Sequence, residues 1–149
     1  MSDAEASEYT MKYIITLSLL TLFLSSAMMQ KNTVSKSKSA NFQADSGKII
    51  YETYCLPCHQ EDGSGVPNMN PPLVNTDWVL GDSLRLINVI LKGLKDAEVN
   101  GDSFSNEMPS HDFLTDKEVA EVLTYVRKSF GNKAGAIHPE DVKKQRAKK

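Results

Sequence analysis

The stretch that decides the fold is Cys55-Leu56-Pro57-Cys58-His59, which places two thiols and an imidazole within five residues. This spacing is typical of the covalent attachment of a c-type haem. In such an attachment the thiols of Cys55 and Cys58 each add to one vinyl group of the porphyrin, and the imidazole of His59 then binds the iron. The stretch therefore predicts one covalently attached haem c with its iron.

Two other kinds of site use the Cys-x-x-Cys spacing. A thioredoxin-like redox pair needs a βαβ context, which the sequence lacks. A zinc site needs four ligands. His59 offers a third ligand, but the chain has no second cysteine pair. The remaining histidines, His111 and His138, are loosely placed, so haem attachment is favoured over both alternatives.

Residues 1–27 are predicted to be a leader. An apolar run, Ile14–Leu24, follows Lys12 and precedes small residues, which is typical of a secretory signal cut after Ala27. An acidic decapeptide is a poor start for such a signal, so the true start is predicted at Met11. An uncleaved membrane anchor is the alternative, but the run has only about a dozen residues against the ~20 needed to span a bilayer.

The rest of the chain divides into three segments. Residues 28–44 are rich in Ser, Lys and Asn and are predicted to be a disordered linker. Residues 45–133 are predicted to form the folded domain, with 14 acidic and 8 basic side chains. Residues 134–149 are predicted to be a basic tail with little to bury. The net charge of the whole chain is only −2, and no nucleic-acid partner is expected.

The domain is predicted to be all-α, with three to four short helices and long loops around the haem. The first helix is capped by Asp45 or Ser46 and runs into Cys55, and Gly47 within it permits the close approach of another backbone. Its apolar side is formed by Ile49, Ile50, Tyr51 and Tyr54. The loop Pro67–Pro72, with two adjacent prolines, is not expected to be helical.

Two further helices follow. The middle helix begins at Asp82 and ends near Gly93, with apolar residues at helical intervals: Leu84, Ile87, Leu91 and Leu94. The last helix begins with a capping box of Thr115 and Glu118 and is stopped by Gly131 after Phe130. Its apolar face is Val119, Val122, Leu123 and Val126.

Trp78 stands just before the middle helix, and a polar loop follows that helix. Trp78 is interpreted as a core anchor, with a hydrogen bond from its indole N–H to a haem propionate as the alternative. The loop Asp96–Glu107 is expected to contain a turn at Asn100-Gly101 and no strand. Helices so short make a poor core in a domain of this size, and a haem would supply the missing apolar volume.

The second axial ligand has four candidates outside the motif: Met69, Met108, His111 and His138. Met69 comes only ten residues after His59, on a loop that is still passing the histidine side of the haem. Met108 comes after the middle helix, where the chain has had the length to reach the opposite face, and Pro109 fixes the backbone beside it. Met108 is favoured over His111, and an open site is the last alternative.

On these residues, positions 45–131 resemble a class I cytochrome c of the small, monohaem, His/Met-ligated bacterial kind. The resemblance implies that the carbonyl of Pro71 accepts the imidazole N–H of His59 and that Leu73 packs on the haem. It also implies that the first and last helices cross. The departure from the usual pattern is Asn70, where many members have glycine, and a slightly different loop is expected there.

The resemblance implies electron transfer between redox proteins outside the cytoplasmic membrane, with transient partners and no enzymatic turnover. The stretch Leu114–Asn132 is also similar to the last helix of cytochrome subunits that accept electrons from periplasmic dehydrogenases. Three functions therefore stay open. They are a shuttle, free or tethered to the membrane by its N-terminal segment; a subunit of a dehydrogenase or oxidase complex; and a five-coordinate haem enzyme of the peroxidase or gas-binding type.

Overall fold

The computed structural model describes residues 46–148, so the predicted leader and linker lie outside the described residues. The first helical segment, α1, consists of residues 46–50, a π turn at Tyr51–Cys55 and a last turn at Leu56–His59. The later elements are α2 (Asp77–Leu80), α3 (Ser83–Lys92), β1 (Glu98–Val99), β2 (Asp102–Ser103), α4 (Asp116–Lys128) and α5 (Pro139–Arg146). As predicted, the fold is all-α. The short hairpin of β1 and β2 was not predicted. No helix within the described range is long and apolar enough to cross a membrane.

Helix α1 carries the cysteine motif and ends with it. The backbone N–H of Leu56 donates to the carbonyl of Tyr51, five residues earlier, and this wider turn sets the direction of the helix just before the motif. The next residue after the motif, Gln60, has a positive φ of 64° and closes the helix. The Tyr51 hydroxyl donates to the carbonyl of Gln60 over 2.5 Å, so the end of the motif is fixed from within α1.

The predicted crossing of α1 and α4 is confirmed. A Cβ placed on Gly47 would lie 2.3 Å from the Glu121 carbonyl oxygen and 2.9 Å from the Tyr125 Cβ, so only glycine permits this approach. Beside the crossing, the ring centroid of Tyr51 lies 5.5 Å from that of Tyr125 and 5.2 Å from that of Phe130. The crossing therefore joins the motif helix to the last helix of the predicted domain.

The predicted starts of α3 and α4 are also confirmed. The Asp82 carboxylate accepts from the Leu84 N–H at the start of α3, and Thr115 and Glu118 form the reciprocal capping box of α4. Three residues predicted on apolar faces are exposed. Leu84 is 40% exposed because α3 turns Leu86 and Ile90 toward the core instead, and Ile49 and Tyr54 of α1 are 63% and 44% exposed.

The loop between α3 and α4 contains a strand pair that the sequence did not reveal. Strands β1 and β2 pair antiparallel around the predicted turn, where Asn100 and Gly101 both have positive φ. The Trp78 Nε1–H donates to the carbonyl of Glu98 at 2.9 Å, so the half-buried indole holds this hairpin. Trp78 stands just before α3, as predicted, and lies inside the short helix α2.

The prediction that residues 134–149 have little to bury is wrong. The side chains of Ile137 and Val142 are buried, and α5 packs on α3 and α4. The Thr124 hydroxyl accepts from the Ile137 N–H at 2.9 Å, and the Arg127 Nε–H donates to the Gly135 carbonyl at 2.8 Å. The few apolar residues in this basic stretch have no strong helical periodicity, but they fall where α3 and α4 leave core surface to cover.

We expect Gly47→Ala to destabilise the fold by about 1–3 kcal/mol, because the added methyl group forces α1 away from the α4 backbone. Gly135→Ala is the matched control, since a Cβ there meets nothing within 4 Å, and it should change stability by less than about 0.5 kcal/mol. Denaturant unfolding of the purified protein measures both. Equal stability of the two variants would contradict the close crossing.

Candidate functional site

An apolar cavity that is partly open to solvent is lined by residues of every helix from α1 to α4 and of the loops between them. The predicted site residues Cys55, His59, Pro71, Leu73 and Met108 all line it. Among the described residues that form its wall, none is an acid, a lysine or an arginine. Such a wall suits a large apolar group.

His59 enters this cavity from the last turn of α1. Its side chain is only 7% exposed, and its Nδ1 lies 3.0 Å from the carbonyl oxygen of Pro71. Burial lowers the pKa of His59, which favours the neutral imidazole that binds metal ions. A hydrogen bond from Nδ1–H to Pro71 leaves Nε2 as the atom available to a metal and fixes the plane of the ring.

The loop that supplies Pro71 is held by backbone hydrogen bonds. The N–H of Gly65 donates to the His59 carbonyl at 3.0 Å, and the N–H of Leu73 donates to the Gly63 carbonyl at 2.7 Å. A Cβ on Gly65, whose φ is +70°, would lie 2.4 Å from the Asn70 carbonyl oxygen, so the loop folds tightly on itself. The Asn70 side chain accepts from the Asn106 amide at 3.1 Å. Asn70 is thus accommodated, and Pro71 still reaches His59.

Met108 lies on the wall of the same cavity and is held by the chain that follows α3. Its backbone N–H and carbonyl both pair with those of Leu94, each over 2.9 Å. A Cβ on Gly93 would lie 2.5 Å from the Met108 carbonyl oxygen, so Gly93 permits this pairing as well as ending α3. The His111 N–H also donates to the Ile90 carbonyl at 2.8 Å. The backbone is therefore held both at Met108 and at His111, three residues later.

The two motif thiols differ in their surroundings. Cys55 is half-buried on the main cavity, whereas Cys58 is exposed and lines a smaller adjoining cavity. Burial raises the pKa of the Cys55 thiol to about 11, with a further increase from the neighbouring Cys58. A redox-active dithiol needs a lowered pKa, so this environment is unfavourable for one. Within residues 46–148, no three His, Cys, Asp or Glu side chains lie close enough together to hold a metal ion.

The other candidate ligands lie away from the main cavity. Met69 is 46% exposed and does not line it. His111 lies beside the smaller cavity, where its Nδ1 is 3.0 Å from the Pro109 carbonyl oxygen. His138 is exposed and precedes α5. Of the imidazoles and thioethers considered, the main cavity brings together those of His59 and Met108.

Asn132 is a residue of the site that sequence reasoning missed. Its buried amide donates to the Leu73 carbonyl at 3.0 Å and to the Val126 carbonyl at 2.8 Å, and it accepts from the Asn75 N–H at 2.8 Å. It thereby ties the loop that forms one wall of the cavity to the end of α4. An asparagine after a helix is common, and only the long-range contacts reveal this role.

Comparison with known proteins agrees with this geometry. The family model described as Cytochrome c matches residues 44–130. Cytochrome c-552 of Thermus thermophilus is 38% identical over 117 residues, which cover 72% of this chain and 88% of that protein.

Cytochrome subunits of dehydrogenases are also similar. The cytochrome c subunit of the quinone alcohol dehydrogenase of Gluconobacter oxydans is 35% identical over 107 residues, or 70% of this chain. The gluconate 2-dehydrogenase cytochrome c subunit of Pantoea cypripedii is 30% identical over 113 residues. The aligned parts span only 22% and 25% of those two subunits.

We expect Asn132→Ala to lower the free energy of unfolding by about 2–4 kcal/mol, because it leaves the buried N–H of Asn75 and two carbonyls without their partner. Asn106→Ala removes an exposed amide from the neighbouring loop and should cost less than about 0.5 kcal/mol. Denaturant unfolding compares the two. An equal loss in both variants would show that Asn132 has no special place in the cavity wall.

Proposed function

The chain belongs to the cytochrome c family, and from this premise we propose which of its residues hold the cofactor. The protein carries one covalently bound haem c with its iron and transfers electrons; it is not itself an enzyme. We assign the thioether bonds to Cys55 and Cys58 and the two axial bonds to His59 and Met108. The observation that carries the assignment is an apolar cavity whose wall holds both the oriented imidazole of His59 and the side chain of Met108, a residue with a fixed backbone.

Each assigned residue has a distinct role. Cys55 and Cys58 make the cofactor permanent, so it cannot be lost between partners. Pro71 orients His59. The backbone hydrogen bonds with Leu94 hold Met108 in place independently of the haem. When bound, the haem supplies an iron that changes by one electron, and a thioether ligand raises its reduction potential relative to a second histidine. With His59 and Met108 both holding the iron, no position on it would be left for a substrate.

We place the contact with redox partners at the smaller cavity that adjoins the main one, where Cys58 and Tyr54 are exposed. The residues around it are mostly uncharged, and the single acidic residue, Glu107, is paired with Lys95. A small uncharged contact favours weak and brief binding. The excess of acidic residues elsewhere in the predicted domain would guide a partner with a basic surface.

A second function is favoured by the relatives. Two of the similar proteins are named as cytochrome c subunits of dehydrogenases, so this chain is proposed, as the alternative, to serve in such a complex. The shuttle remains the first proposal, since cytochrome c-552, which is 38% identical to this chain, is named as a cytochrome and not as a subunit of a dehydrogenase. Copurification with a dehydrogenase at a fixed ratio would favour the subunit.

Bacterial cytochromes c of this kind are typically extracytoplasmic. We propose that this chain is exported by its apolar N-terminal segment, translated from Met11 and cut after Ala27. An uncut segment would instead tether the domain to the membrane through residues 28–44. The intact mass of the exported protein distinguishes the cut form from the tethered one.

We expect Met108→Ala to abolish the thioether–iron charge-transfer absorption near the red end of the spectrum of the oxidised protein and to lower the midpoint potential, because the iron loses its thioether. Met69→Ala should leave both unchanged, since the Met69 side chain is exposed and lies off the cavity wall. Optical redox titration of the haem-attached variants measures both properties. A retained band in Met108→Ala would contradict the assignment.

A further inference from the structure

The guanidinium of Arg146, at the end of α5, lies against the chain that follows Met108. It donates to the Asp112 carbonyl at 2.9 Å, to the Leu114 carbonyl at 2.7 Å and to the Asp116 carboxylate at 2.8 Å. Three donors of one planar group therefore meet three acceptors within five residues. A lysine has no such fixed fork of donors and cannot reproduce this geometry.

The segment that Arg146 contacts is joined by hydrogen bonds to the residues that follow Met108. The Leu114 N–H donates to the His111 carbonyl at 3.1 Å, and the Asp112 N–H donates to the Ser110 hydroxyl at 3.2 Å. The Ser110 hydroxyl in turn donates to the Leu91 carbonyl of α3 at 3.0 Å. Residues 108–114 are thus linked on one side to α3 and on the other to Arg146.

Helix α5 is itself well anchored. The side chain of Val142 is 0% exposed, and Thr124 and Arg127 of α4 hold the chain just before the helix. The position of the Arg146 backbone is therefore set by the core. Because the backbone of Arg146 is fixed, the hydrogen bonds of its side chain restrain residues 112–116.

We propose that Arg146 is a positioning residue for the axial ligand, acting through residues 112–116 to keep the Met108 thioether on the iron. The proposal rests on the assignment of Met108 as that ligand. It gives the basic C-terminal stretch a role in ligation in addition to its packing. Without the guanidinium, the segment after Met108 keeps its link to α3 but loses its link to α5, and states in which the thioether leaves the iron become more populated.

Imidazole added to the oxidised, haem-attached protein measures these states, because it binds iron when the thioether has left. For Arg146→Gln we expect the apparent dissociation constant of imidazole to fall by roughly tenfold, the effect of losing hydrogen bonds made by a charged donor. Arg146→Lys should restore only part of the difference. Amide hydrogen exchange at Met108 and His111 should accelerate in parallel.

Two variants serve as controls. Lys143→Gln removes an exposed charge from the same helix, and Gly47→Ala lowers the stability of the fold at the α1–α4 crossing, on a helix other than α5. Under conditions far from unfolding, both should keep the wild-type imidazole affinity within about twofold. A fall of the apparent dissociation constant in Gly47→Ala as large as that in Arg146→Gln would overturn the proposal, since Arg146 would then act only through overall stability.

The result also separates this proposal from the assignment beneath it. Wild-type protein that shows the thioether–iron absorption, together with an unchanged imidazole affinity in Arg146→Gln, overturns the role of Arg146 alone. Wild-type protein that lacks the absorption and binds imidazole as tightly as Met108→Ala overturns the Met108 assignment and this role with it. The absorption in the wild type, with tighter imidazole binding and faster exchange confined to the Arg146 variants, supports both.

Discussion

The walls of the cavity beside His59 are also the hydrophobic core of the protein. The same side chains both stabilise the fold and shape the cavity, and this constrains the rest of the structure. Leu86, Ile90, Val122, Leu123 and Val126 are buried core residues, and each also lines the cavity. With the haem bound as we propose, it would be part of this packing, and the four helices around it would need only to be short. Because protein interiors are close-packed, the elements have little freedom to shift without changing the fit to the cofactor.

The same constraint explains why backbone contacts hold the loops. Long loops have few side chains to bury, so their positions depend on hydrogen bonds and on glycines that let backbones meet. Gly65 and Gly93 do this on the Pro71 and Met108 loops, and the two loops carry residues assigned to the two axial sides of the iron. Asn132 and Arg146 then connect each loop to a helix. The chain's own hydrogen bonds thereby hold both loops in place.

Local patterns predicted much of this from the sequence. The cysteine motif, the Asp82 cap, the capping box of Thr115 and the glycine at the α1–α4 crossing each depend on residues close in sequence or on a familiar spacing. The packing of α5 was not predictable in this way, because Val142 alone among basic residues shows no periodicity and its burial is decided by α3 and α4. Apart from the bond of Asn132 to Val126, the contacts of Asn132 and Arg146 join residues 30–59 positions apart, and no local pattern encodes them.

The most direct test is tandem mass spectrometry of the exported protein after digestion and treatment with a thiol-alkylating reagent. The account predicts that the peptide containing residues 55–59 carries the added mass of one haem and that neither Cys55 nor Cys58 is alkylated. A peptide of unmodified mass with both thiols alkylated would contradict it, because the cavity, the axial pair and the electron-transfer function all require the haem to be bonded at these two positions.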